Sequence, residues 1–192
     1  MRTHDFQQTH KILLLGYPSP HDATDISERN HRFRERASLK GYALRAELLH
    51  ITFFCLGEYV EGEMPEELIP NACRAAARVV SPPIDIVLDR LQSFRRNSPD
   101  RPGVLTGSSG VEGLRRFRET LGLQLIGAGL KPFVKSSFTP HMTLFYDSRV
   151  FPPRAIAPVR WRMSEFVLVD SLRGQITHVP LARWQLLGEP NG

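Results

Sequence analysis

The chain has 192 residues, 41% of them hydrophobic and 23% charged, with a formal net charge of +5. That length suits one domain or two small lobes. The composition excludes a disordered or fibrous chain, and no apolar run approaches the roughly 20 residues needed to span a membrane. Met1 to His10 lacks the apolar core of a signal peptide. The two cysteines, Cys55 and Cys73, have no CxxC spacing and read as neither a disulfide framework nor a zinc site. These features point to a cytoplasmic protein.

In chain order, Lys11 to Tyr17 is an apolar run closed by Pro18 and Pro20 and predicts a central strand. Asp25 to Ser38 reads as a helix, with Asp22 or Thr24 as its cap. Ala43 to Leu56 is rich in β-branched and aromatic residues and predicts a strand, followed by an acidic turn over Gly57 to Pro65. Glu66 to Val80 reads as a helix. Ile84 to Leu88 and Leu91 to Arg95 read as strand, then Gly103 to Thr106 as a short one. Val111, Leu114, Phe117, Leu121 and Leu125 recur at helical spacing and make Gly110 to Gly127 an amphipathic helix. A strand over Phe138 to Tyr146 follows. Phe151 to Pro158 reads as irregular, and Trp161 to Leu172 with Gln175 to Leu186 as a closing strand pair joined near Arg173-Gly174. The whole predicts an α+β fold with mostly antiparallel sheets, two lobes, a central cleft and outer helices. It forms a single domain over residues 1–192, acting as a monomer.

Two tetrapeptides in opposite halves match: His50-Ile51-Thr52-Phe53 and His141-Met142-Thr143-Leu144. In a strand, residues i and i+2 share a face, so each offers an imidazole and a hydroxyl on one side. By the same alternation Phe54 should continue the face of His50 and Thr52, and Phe145 that of His141 and Thr143. One His-x-Thr in a strand is ordinarily a half-buried histidine with a common partner. Two copies can place two imidazoles and two hydroxyls in one cleft. Two histidines supply an acid and a base near neutral pH, and two threonines can donate to phosphoryl oxygens. No HExxH, carboxylate pair or Gly-rich phosphate loop accompanies them, so neither metal nor cofactor is expected.

The paired motifs resemble those of the 2H phosphoesterases, and within them the RNA 2′,3′-cyclic phosphodiesterases also called 2′-5′ RNA ligases. The first continues through Phe54-Cys55-Leu56 to Gly57-Glu58, and the second is introduced by Pro140, as in that family. Glu165 to Ser171 is similar to a late family strand ending in Ser, whereas Tyr146 stands where members often carry Arg. The resemblance implies a bilobal fold and hydrolysis of RNA 2′,3′-cyclic phosphate ends to 2′-phosphates, with possible reversal as a ligase. It makes His50 the acid and His141 the base, a choice that the near-equivalent motifs leave open. Alternatives are a phosphodiesterase for a small cyclic nucleotide or ADP-ribose cyclic phosphate, and a non-catalytic RNA-binding module. RNA ends or a small cyclic nucleotide are the expected partners, with no membrane.

Other candidates are weaker. His4, His10, His21 and His31 lie in polar segments and read as surface residues; His178 lies in a predicted strand without the motif. Tyr146, Phe54 and Phe145 could stack on a base, the two phenylalanines reading rather as packing beneath the site. Lys135, Arg149 and Arg173 are candidates for positive charge at the cleft mouth. The runs Arg29, Arg32, Arg34, Arg36 and Arg115, Arg116, Arg118 read as solvated helix faces, against an RNA-backbone surface.

Overall fold

The computed structural model describes residues 8–95, 98–172 and 177–188. Among the described residues, nine strands form one antiparallel sheet, and three helices pack on it. The strands are β1 Thr9–Gly16, β2 Tyr42–Ala43, β3 Ile51–Val60, β4 Ile84–Ser93, β5 Arg101–Thr106, β6 His141–Asp147, β7 Arg154–Met163, β8 Glu165–Leu172 and β9 Thr177–Gln185. The helices are α1 Pro20–Arg36, α2 Leu68–Ala76 and α3 Glu112–Gly127. The order β7-β4-β5-β6-β3-β1-β8-β9 places four strands on either side of the β6–β3 junction, with β2 added on β6.

That junction holds a single pair, Ile51 opposite Met142. The two halves of the sheet therefore part on either side of it, which gives the bilobal form. Order within the halves is matched: β3-β1-β8-β9 on one side and β6-β5-β4-β7 on the other. The helices exchange sides. α1 comes from the first half of the chain but packs behind the second motif strand, where Phe33 stacks on Phe145 with ring centroids 6.0 Å apart. α3 comes from the second half but packs behind the first, where Phe117 meets Phe53 at 4.8 Å and Phe166 at 5.0 Å. α2 packs on α3.

Several boundaries differ from the sequence reading. α1 begins at Pro20 because Pro suits the first helical position and Ser19 caps it, its Oγ accepting from the Asp22 N–H at 3.1 Å. Pro20 thus opens the helix and does not merely close the strand. β3 runs on through the expected turn to Val60, carried by Gly57 at φ +118°. The Pro-rich segment around Pro158 belongs to β7, an edge strand, where a missing N–H leaves no ladder bond unmade. β7 pairs with β4, so the closing strand pair is β8 with β9. The expected junction at Arg173-Gly174 and the start of that strand at Gln175 lie outside the described residues.

Candidate functional site

Each motif strand carries a bulge at the same place. Leu14 pairs with Phe54 and Leu15 with Thr52, leaving Phe53 as the extra residue. Gly103 pairs with Phe145 and Val104 with Thr143, leaving Leu144 extra. Each is the fourth residue of its motif. A bulge shifts the alternation by one position. Phe53 and Phe54 are therefore both buried in the core behind the sheet, and so are Leu144 and Phe145. This corrects the expectation that Phe54 and Phe145 extend the histidine faces; they pack behind the site. Gly103 is needed opposite the second bulge, since a Cβ there would stand 2.2 Å from the Phe145 ring.

A bulge also frees a carbonyl from the ladder, and a buried carbonyl requires a donor. α3 supplies Arg118, whose Nε donates to the Phe53 carbonyl at 3.3 Å and whose Nη2 donates to the Lys135 carbonyl at 2.6 Å. Its guanidinium lies 4.6 Å from the Phe54 ring centre and 4.7 Å from that of Phe138. α1 supplies Asn30, whose Nδ2 donates to the Leu144 carbonyl at 3.2 Å as a second donor beside the Leu44 N–H at 2.9 Å. Asn30 and Arg118 are among the few buried polar residues, and each holds the bulge of one motif. The arginine runs are thus not wholly solvated faces.

On the open face, the Ile51–Met142 pairing sets the flanking residues: His50 lies across from Thr143, and Thr52 across from His141. All four are partly exposed. The two imidazoles are held alike. His50 Nδ1 lies 2.6 Å from the Leu48 carbonyl, and His141 Nδ1 lies 2.8 Å from the Thr139 carbonyl. In the neutral ring a carbonyl partner fixes the proton on Nδ1 and leaves Nε2 as the acceptor. Phe94 lies beside His141, with ring centroids 4.8 Å apart. Thr106, opposite His141 in β5, is buried and accepts from Gln92 Nε2 at 3.2 Å.

Around His50 the structure gathers residues that the sequence reading passed over. The His178 ring meets the His50 ring edge-on at 5.1 Å, and Tyr17 lies 6.1 Å from both. The Tyr17 hydroxyl and His178 Nδ1 are 2.7 Å apart. Burial pushes the Tyr17 phenol up, with Arg183 opposing, and burial pushes His178 down. A protonated phenol beside a neutral imidazole donates to Nδ1 and leaves the His178 proton on Nε2. The only sequence signals were place: Tyr17 follows β1 beside the first motif, and His178 sits opposite Ser171 in the last pair. Leu13, Leu15, Val167 and Val169 make the apolar floor here, in contact with Tyr17. A cavity of about 450 Å³ adjoins them, rimmed by Glu165 and Arg183.

His50 is pushed down to about 4, chiefly by burial, partly countered by the Leu48 carbonyl and reinforced by His178 and His141. The residue is only partly exposed, and protein crowds most of it. The unfolded chain therefore holds a proton between pH about 6.5 and about 4 that the folded chain lacks. Stability is present above that window and is lost as pH falls through it. His178 adds in the same direction. The expected result is a lower Tm at pH 5 than at pH 7, with a shallower dependence in His50→Gln. An unchanged slope in that variant would show that His50 titrates normally.

The remaining candidates fall elsewhere. His10 is paired with Asp170 at 2.5 Å and is half-buried, whereas His21 and His31 are exposed on α1. His4 and Arg173 lie outside the described residues. Arg149 is not at the cleft mouth: it donates to the Ala37 carbonyl behind β6 at 2.6 Å. The Lys135 side chain is exposed, and its carbonyl is bound by Arg118. Tyr146 stacks on Tyr42 at 5.1 Å. Among the described residues, no three His, Cys, Asp or Glu side chains group to hold a metal ion, and no helix is long and apolar enough to cross a membrane.

This antiparallel, two-halved architecture is that of known phosphoesterase structures. A phosphoesterase crystal structure shares 24% identity at a TM-score of 0.69, over 93% of this chain and 99% of that one. Escherichia coli LigT, in its complex with ATP, shares 23% identity at 0.69, over 93% of this chain and 99% of that one. TT0787 of Thermus thermophilus shares 22% identity at 0.71, over 94% and 100%. At such identities these likenesses give the fold. No curated protein sequence matches the chain. The model of the 2′-5′ RNA ligase superfamily matches residues 18–185, and the chain belongs to that superfamily.

Proposed function

We propose that the chain hydrolyses 2′,3′-cyclic phosphate ends of RNA to 2′-phosphomonoesters by a two-histidine mechanism without metal. It would act as a cytoplasmic monomer, with residues 1–192 as one unit. The observation that carries this reading is the matched pair: His50 with Thr52 and His141 with Thr143, on adjacent strands joined at Ile51–Met142, each imidazole tethered through Nδ1 to a carbonyl two residues earlier. Superfamily membership supports phosphodiester or ligase chemistry. The complexes of LigT with ATP, 3′-AMP, NADP+ and phosphate support a nucleotide phosphate as ligand class.

In this scheme water attacks phosphorus, the bond to the 3′ oxygen breaks, and the 2′ ester remains. A base takes the water proton and an acid protonates the leaving 3′ oxygen. Burial keeps His50 neutral, which suits it to accept the proton. His141 then delivers one, the reverse of the order that the resemblance implies. Thr52 and Thr143 donate to the non-bridging oxygens, whose charge grows in the transition state. If a 5′ hydroxyl attacks in place of water, the same 3′ oxygen leaves, the same two proton transfers occur and a 2′-5′ phosphodiester forms, which is the ligase direction.

A second reading, a phosphodiesterase for a small cyclic nucleotide, is favoured by one observation. The cavity of about 450 Å³ beside Tyr17 and His178 lies within the range of small-molecule sites, roughly 300–1,000 Å³. Turnover of an oligonucleotide ending in a 2′,3′-cyclic phosphate, compared with 2′,3′-cyclic AMP, separates the two. We expect higher kcat/KM on the oligonucleotide, unchanged by EDTA. The acidic limb of kcat/KM should lie near pH 4, because His50 must be neutral as the base. A limb well above 4 would remove the support for His50 as the base. Loss in EDTA restored by a divalent metal would overturn the scheme.

A further inference from the structure

Behind the second motif strand, on the face of the sheet opposite the histidines, lies a cavity of about 590 Å³. Five arginines line it. Arg29, Arg32 and Arg36 come from one face of α1, and Arg149 and Arg154 come from the β6–β7 connection and the start of β7. No carboxylate is among the lining residues. The partners of the guanidiniums hardly offset their charge. Arg29 donates to the Pro158 carbonyl at 3.1 Å and to the Ala157 carbonyl, and Arg149 to the Ala37 carbonyl. Arg154 lies over the Phe33 ring at 5.2 Å and Arg149 over Phe151 at 5.6 Å. A carboxylate does approach from outside: Glu28 is 3.6 Å from Arg32, on the exposed side of α1. Like charges gathered over an apolar floor are mutually unfavourable until an anion joins them.

The floor carries a second, independent sign of a ligand. Asn30 is 4% exposed and lines the cavity. Its Nδ2 is committed to the Leu144 carbonyl, which fixes the orientation of the amide, and its Oδ1 has no partner among the described residues. A buried acceptor left without a donor is costly, and a ligand that draws the Asn30 amide toward the cavity can supply one. The volume falls in the range of small-molecule sites, roughly 300–1,000 Å³.

We propose that this cavity is a second binding site, for a nucleoside phosphate. The arginines take the phosphate, the Phe33 and Phe151 rings and the leucine floor take the base, and an exocyclic amine or ribose hydroxyl donates to Asn30 Oδ1. Other anions fit less. Inorganic phosphate leaves the apolar floor uncovered. A fatty acid satisfies charge and floor but has no proton for Asn30. Leu144, a lining residue, is the bulged residue of the second motif, so occupancy touches the strand that carries His141 from behind.

The test is photolabelling of the full chain with 8-azido-ADP and mass-spectrometric mapping of the adducts. The readout does not depend on turnover. We expect adducts on peptides covering residues 29–37 or 149–157, competed by ADP and not by equal concentrations of phosphate or dodecanoate. The double variant Arg36→Glu/Arg154→Glu, and the milder Arg36→Ala/Arg154→Ala, should lose at least tenfold of this labelling. Their circular dichroism and cyclic-phosphate turnover should be retained. Adducts confined to cleft peptides, labelling that persists in the folded alanine variant, or competition by dodecanoate in place of ADP would each overturn the proposal.

Discussion

His50→Ala and His141→Ala are each expected to lower kcat/KM on a cyclic-phosphate-ended RNA by about 10²–10⁴-fold, with the fold intact by circular dichroism. In the proposed mechanism each variant removes one of the two proton transfers, and neither side chain belongs to the core cluster. The double variant should cost less than the product of the single losses, because groups acting in one step are not additive. Thr52→Ala and Thr143→Ala should lose less. Each removes one hydrogen bond to a charged oxygen, about 1.5–3 kcal/mol, and leaves the proton path in place. Near-normal turnover in either folded histidine variant would defeat the two-histidine mechanism and put the RNA-binding module first.

Arg118→Met should destabilise the protein by about 3 kcal/mol. The substitution keeps most of the volume. It removes the donors to the Phe53 and Lys135 carbonyls and the guanidinium contacts with Phe54 and Phe138. Hydrogen bonds to a charged group are worth roughly 1.5–3 kcal/mol, and a desolvated cation–π contact up to about 2. For a chain of this size that corresponds to a fall in Tm of roughly 6–12 °C. Because the orphaned carbonyl belongs to the bulge following Thr52, kcat should fall as well. Asn30→Ala should act in the same direction on the second motif, and more weakly, since its hydrogen bond is neutral and the Leu44 N–H still binds the Leu144 carbonyl. A Tm within about 2 °C of the parent for Arg118→Met would show that the Phe53 carbonyl finds another donor.

Much of the site was legible in local pattern. Both His-x-Thr segments are short, apolar and β-prone, so period-2 alternation places His50 with Thr52 and His141 with Thr143 on a face. The α+β class and the antiparallel pairing followed from the order of strands and helices. Alternation failed one residue beyond each threonine, at Phe53 and Leu144, because a bulge depends on the register of the neighbouring strand. Arg118 and Asn30 looked like members of polar helices. Their burial follows from α3 and α1 crossing to the opposite halves of the sheet, which no window of sequence contains.

By itself, then, the sequence determined the chemistry on offer: two imidazoles and two hydroxyls on strands, with superfamily motifs around them. Short-range alternation and residue type suffice for that. Only the tertiary structure decided what surrounds them. It brought Tyr17 and His178 from distant strands to the rim of His50, and burial there sets the charge state of His50. It moved Arg149 from an expected cleft mouth to a cavity on the other face. Those outcomes depend on which strands pair and which helix covers which half, and pairing across a sheet is a non-local choice settled by packing the whole core.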